Sequence, residues 1–77
     1  MNAAGRKVIK EMIEQLTEMS GTLEEVAVEE REKYDNMPEG LQMSEKGEAL
    51  ERSAEALECA FAGSMGELIG YLEEAIE

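Results

Sequence analysis

Two long runs of apolar residues, each repeating at alternating steps of three and four, flank a single loop built around Met37, Pro38 and Gly40. That spacing places apolar side chains along one stripe of an α-helix, so the chain is expected to form two helices reversed on one another. In the first run Ile9, Met12, Leu16, Met19, Leu23 and Val26 hold the rhythm, which continues through Glu30, Lys33 and Met37. In the second, Leu50, Ala54, Leu57, Phe61, Ser64, Leu68, Tyr71 and Ala75 repeat it, with Met65 and Leu72 widening the stripe. The expected fold class is all-α: an antiparallel helical hairpin assembling into a homo-oligomeric helix bundle.

The pattern predicts one domain over 1–77, with a helix over about 6–36, a loop over 37–43 and a helix over about 44–76. Met1 to Gly5 are expected to fray. Ser20-Gly21-Thr22 interrupts the first run, and Thr22 with Glu25 matches a capping box that would begin a new helix. The stripe nevertheless keeps its phase across the triplet, which favours one helix with a weak or bent centre. Proline disfavours helical backbone at the residue before it, so Asn36 and Met37 are expected to end the first helix, and Gly40 tolerates a positive φ at the reversal. Ser44 is a good N-cap for the second helix, with Glu45 and Glu48 where the helix dipole favours negative charge. Arg6, Lys7 and Lys10 at the start of the first helix, and Glu73, Glu74 and Glu77 at the end of the second, are each wrongly placed for their own helix dipole. A hairpin brings the two groups to one end.

Two helices cannot cover two stripes of this width, and a chain of 77 residues rarely gains more than about 3–5 kcal/mol from its own core. A homo-oligomer is therefore expected, with Ile9, Met12, Leu16, Met19, Leu23, Leu57, Phe61, Met65, Leu68 and Leu72 in its interface. The single cysteine, Cys59, excludes an internal disulfide, and without histidine the usual zinc and iron–sulfur ligand sets are missing. No cofactor or metal is expected. Nineteen acidic against seven basic residues give a net charge of -12, which disfavours direct binding to nucleic acid or to an anionic membrane. No leader and no membrane-spanning apolar run is visible, so the expected location is the cytoplasm.

Three features offer chemistry beyond folding. Cys59, Gly63, Gly66 and Gly70 gather on the side of the second helix away from its stripe, forming a smooth strip that admits close approach of a partner. Its glycines weigh against it as a stable helix, at about 1 kcal/mol each relative to alanine. Arg31, Lys33, Lys46 and Arg52 lie near the loop end, where the amide groups after Ser44 and the small Gly47 suit a phosphate, and Tyr34 could stack on a base. Charge pairing with Asp35, Glu39 and Glu45 is the competing account of these cations. Rows of carboxylates, such as Glu11, Glu14, Glu18 and Glu25, can imitate a phosphate backbone or simply face solvent. The methionines fit both a core and an adaptable binding surface. No nucleophile, base and metal set stands together, so an enzyme is not expected.

The stretch Tyr34-Asp35-Asn36-Met37-Pro38-Glu39-Gly40-Leu41-Gln42, followed by Ser44-Glu45-Lys46-Gly47-Glu48, resembles a segment of small acidic helical proteins of bacteriophages and integrated mobile elements. Those proteins carry D-N-M-P-E-x-L-Q-x-S-E-(K/R)-G-E between two charged helices. The match spans about 15 of the 77 residues, and the three glycines of the C-terminal helix lie outside it. The resemblance implies a phage or mobile-element origin and an interaction role inside an infected bacterium, with inhibition or modulation of a host protein in counter-defence as the expected role. The alternatives are an oligomeric sponge for a nucleotide signal, held by Arg31, Lys33, Tyr34, Lys46 and Arg52, and a purely structural bundle. Within the segment, Leu41 and Met43 are expected to plug the open end of the bundle.

Overall fold

The computed structural model describes residues 1–77 and is all-helical, with no strand. Helix α1 spans Ala3–Asp35, a one-turn helix α2 spans Glu39–Gln42, and α3 spans Glu45–Cys59. A π-helical segment, Ala60–Met65, joins α3 without a break to α4, Gly66–Ala75. The molecule is a rod of 58 × 15 × 14 Å, in which α3, the π segment and α4 all pack along α1.

Local chemistry sets the ends. The first helix begins earlier than the spacing predicts, because Asn2 accepts a 2.8 Å hydrogen bond from the Gly5 amide and so satisfies one of the open first-turn donors. The N-terminus therefore does not fray from Met1 to Gly5. Nor does the Ser20-Gly21-Thr22 triplet break α1. Thr22 forms no capping box; its hydroxyl donates instead to the Glu18 carbonyl one turn back, a bond that leaves the helix intact. Asn36 ends the helix with its amide on the Glu32 carbonyl at 2.9 Å. After Pro38 the chain winds into α2 rather than an irregular loop, and Gly40 carries no positive φ. Ser44 caps α3 as expected, accepting from the Gly47 amide at 3.3 Å. Leu41 and Met43 do not plug the end of the rod: they are 51% and 83% exposed.

The inward face of α1 differs from the expected stripe by one position. Ile9, Ile13, Leu16, Ser20, Leu23 and Ala27 are turned inward, whereas Met12, Met19 and Val26 are exposed. Ser20 and Ala27 are small, which lets the paired helices sit close; the longer Met19 and Val26 are left outside. On the second run the inward set is Leu50, Ala54, Leu57 and Phe61, as expected. It then continues through Met65 and Leu72, both expected to widen the stripe, and through Ile69 and Ile76, which take the inward place of Ser64, Leu68, Tyr71 and Ala75. Only Ala27, Gly47 and Ala54 are fully buried. A pair of helices covers completely only the small side chains lying between them, so the larger apolar residues remain half-open to water.

Candidate interaction surfaces

Two polar contacts tie α1 to α3, and they lie on opposite sides of the rod. On one side Arg31 grips Glu58 with two donors, Nη2 to Oε1 at 2.7 Å and Nε to Oε2 at 3.2 Å. This is the bidentate geometry in which arginine binds a carboxylate most specifically. The pairing holds the Glu58 carboxyl below the usual carboxylate range and raises Arg31. The guanidinium also lies 5.8 Å from the centre of the Tyr34 ring, and Glu51 beside that phenol pushes its pKa up. On the other side Glu30 accepts from Ser53 at 2.7 Å and from Lys33 at 3.3 Å, and both bonds lower its pKa. The expected partners of the cations, Asp35, Glu39 and Glu45, are not the ones used. Arg31 and Lys33 pair with Glu58 and Glu30, and Lys46 and Arg52 are exposed and form no ion pair.

These contacts alter the candidate phosphate site. Arg31 is committed to a carboxylate. Lys33 is likewise engaged, so only Lys46 and Arg52 are available to an anion. Tyr34 is half-buried beneath Arg31 rather than open for stacking.

Gly63, Gly66 and Gly70 are exposed, and a Cβ added at any of them would meet nothing within 4 Å. The strip is thus uncovered within the protomer. Cys59 is a free, exposed thiol beside it. A shallow groove runs along this region, lined by Glu55, Glu58, Cys59, Ala62, Gly63, Ser64 and Glu67. Its three carboxylates suit a cationic partner and repel a phosphate. No three side chains of metal-binding type converge anywhere on the rod. At the end of the rod where Arg6, Lys7, Lys10, Glu73, Glu74 and Glu77 were expected to neutralise one another, no ion pair forms; all six are exposed.

A further surface emerges from the one-position offset in α1. At about 100° per residue, Val8, Met12, Gln15, Met19, Thr22 and Val26 point within a narrow sector beside the inward face. A second groove, lined by Glu18, Met19, Thr22, Leu23, Val26 and Met65, carries that sector across to the second run. The Glu30–Ser53 contact fixes which side of α3 joins it, and the same wheel arithmetic then places Ala49, Ser53, Ala60, Leu68, Tyr71 and Ala75 there. Val8, Met12, Met19, Val26, Leu68 and Tyr71 are each at least 42% exposed. In a chain with nineteen acidic residues, this sector contains no carboxylate except Glu30, which Lys33 and Ser53 satisfy, and Glu11, Glu18 and Glu29 stand at its rim. The acids lie on the outer and opposite sides. Sequence reasoning placed Met12, Met19 and Leu68 in an interface but merged this sector with the inward seam.

No protein-family model, no curated protein and no solved structure matches the chain.

Proposed function

We propose that this chain is a non-enzymatic interaction protein, an antiparallel helical hairpin that assembles with further copies and presents dense rows of carboxylates to the basic surface of a partner protein. The observation that carries the reading is the segregation of the surface: an apolar, nearly acid-free sector on one side, and acidic rows with a carboxylate-lined groove elsewhere. A surface divided in this way suits two separate contacts, one with copies of itself and one with a cationic partner. A net charge of -12 also steers such a partner from a distance. The segment from Asp35 to Glu48, through its resemblance to phage and mobile-element proteins, supplies the setting: the cytoplasm of an infected bacterium, with a host protein as target and counter-defence as the role.

The test is affinity capture from bacterial lysate with the tagged chain, read at two salt concentrations. A target held by carboxylate rows is retained at about 0.15 M salt, where the screening length is about 8 Å, and released towards 1 M, where it is about 3 Å. Recovery of no protein above background overturns the proposal, as does a partner whose retention ignores salt.

A further inference from the structure

We propose that the acid-free sector running from Val8 to Val26 on α1 and from Ala49 to Ala75 on the second run is the contact through which a second copy packs, giving a four-helix bundle of two hairpins. The inference rests on the assembly part of the proposed function and names its surface.

Four observations select a second copy as the occupant. The protomer is one layer of helices and fully buries only three residues, so a second layer is needed to cover its apolar side chains. The face is extended: at ~1.5 Å per residue, Val8 to Val26 runs roughly 27 Å and Ala49 to Ala75 roughly 39 Å along a rod 58 Å long. Its chemistry is right for self-contact, because two copies meeting through this sector keep their acidic rows pointed outward, and the only carboxylate within it is already bonded to Lys33 and Ser53. A strongly basic partner, by contrast, is drawn to the carboxylates on the other sides. Finally, the methionines of the face, Met12 and Met19, adapt their shape to a facing copy with little strain.

The experiment is sedimentation equilibrium at micromolar concentration on the full chain and three variants. The unsubstituted protein is expected at twice 8.5 kDa. Met19→Glu and Leu68→Glu place a charge at two exposed positions of the face and are expected at 8.5 kDa with their helical circular dichroism retained. Val28→Glu makes the same change at an equally exposed apolar position on the opposite side of α1 and is expected to stay dimeric. A mass of 8.5 kDa for the unsubstituted protein overturns the assembly reading itself, and a mass above the dimer overturns the bundle of two hairpins. A dimer that survives both Met19→Glu and Leu68→Glu, or that Val28→Glu dissociates as readily, overturns the choice of face while leaving assembly intact. Should a variant lose its helix signal, peroxide oxidation of the unsubstituted protein decides the same point. Met12 and Met19 are expected to oxidise several-fold more slowly than the open Met43, and equal rates overturn the proposal.

Discussion

Replacing Gly47 by alanine adds one methyl group at the point where α2 folds back over the start of α3. Gly47 is one of three fully buried residues, and a Cβ there would strike the carbonyl oxygens of Leu41 and Gln42 and lie 2.6 Å from the Gln42 carbonyl carbon. Ordinary carbon contacts sit at about 3.5–4.0 Å, so backbone must move by about 1 Å to admit the methyl. Forced movement of packed atoms costs about 1–3 kcal/mol. The displaced turn also carries the Leu41 carbonyl to which the Ser44 hydroxyl donates while it caps the Gly47 amide, and loss of a cap costs about 1 kcal/mol. Against this, alanine is favoured over glycine inside a helix by about 1 kcal/mol. The destabilising terms win, and Gly47→Ala is expected to lose about 1–3 kcal/mol. At about 4–8 °C per kcal/mol for a domain of this size, the thermal midpoint should fall by roughly 4–24 °C. Gly66→Ala and Gly70→Ala make the same chemical change where nothing lies within 4 Å, and each is expected to gain up to about 1 kcal/mol. Thermal melts followed at 222 nm, at one fixed protein concentration because the proposed assembly would make the midpoint depend on it, give the comparison directly. A Gly47→Ala protein as stable as the parent would refute the reasoning, since it would mean that the α2 turn can lift away from α3 without loss.

Other outcomes follow from the polar contacts. Glu58→Gln removes the charge that Arg31 grips, so the thermal midpoint at pH 7 should fall. Because the Glu58 carboxyl is held below its ordinary value of 4.5, the pair's contribution is present above that value and is lost as pH falls through the lowered one, so the gap between parent and variant should narrow in melts taken progressively below pH 4.5. A gap that stays constant from pH 7 to pH 3 contradicts the assignment. With Arg31 and Lys33 committed to carboxylates, isothermal calorimetry with cyclic and linear nucleotides should give no micromolar heats, and a tight nucleotide would revive the sponge reading.

The helical class and the position of the reversal were legible in the sequence because they rest on local rules: three-and-four spacing, Pro38, and the Ser44 cap. Which of two neighbouring stripes faces the partner helix is a different kind of question. Met12, Met19 and Val26 are as apolar as the inward set, and the seam instead takes Ile13, Ser20 and Ala27 because small side chains allow two backbones to approach. That preference compares whole packings and leaves little trace in hydrophobic spacing alone. Gly47 was read as a small residue beside a candidate anion site. Its steric role depends on where α2 turns, which the sequence pattern left as an irregular loop. Arg31 was expected to pair near the loop, yet its carboxylate stands twenty-seven residues away on α3, a separation that only the packing brings together.

The π segment has its cause in the spacing of the second run. Leu57, Phe61, Met65 and Ile69 are spaced four residues apart three times in succession. On an unbroken α-helix each step of four overshoots a full turn by about 40°, so three in a row carry the stripe about 120° around the helix and away from α1. Extending the three-and-four rhythm to Ser64 avoids this drift on paper, but it turns a serine, and later Tyr71, inward in place of Met65, Ile69, Leu72 and Ile76. The chain keeps the larger side chains inside and absorbs one surplus residue in a π turn over Ala60–Met65. Deleting Gly63 should therefore leave the steps as four, three and four, convert the segment to ordinary α-helix and keep Ile69, Leu72 and Ile76 against α1. The deletion also removes a helix glycine, so stability is expected to be unchanged or raised by up to about 1 kcal/mol in urea melts. Loss of 3 kcal/mol or more, the scale of emptying a large core side chain, would mean that α4 had been rotated off its seam and that the π turn is not a one-residue insertion.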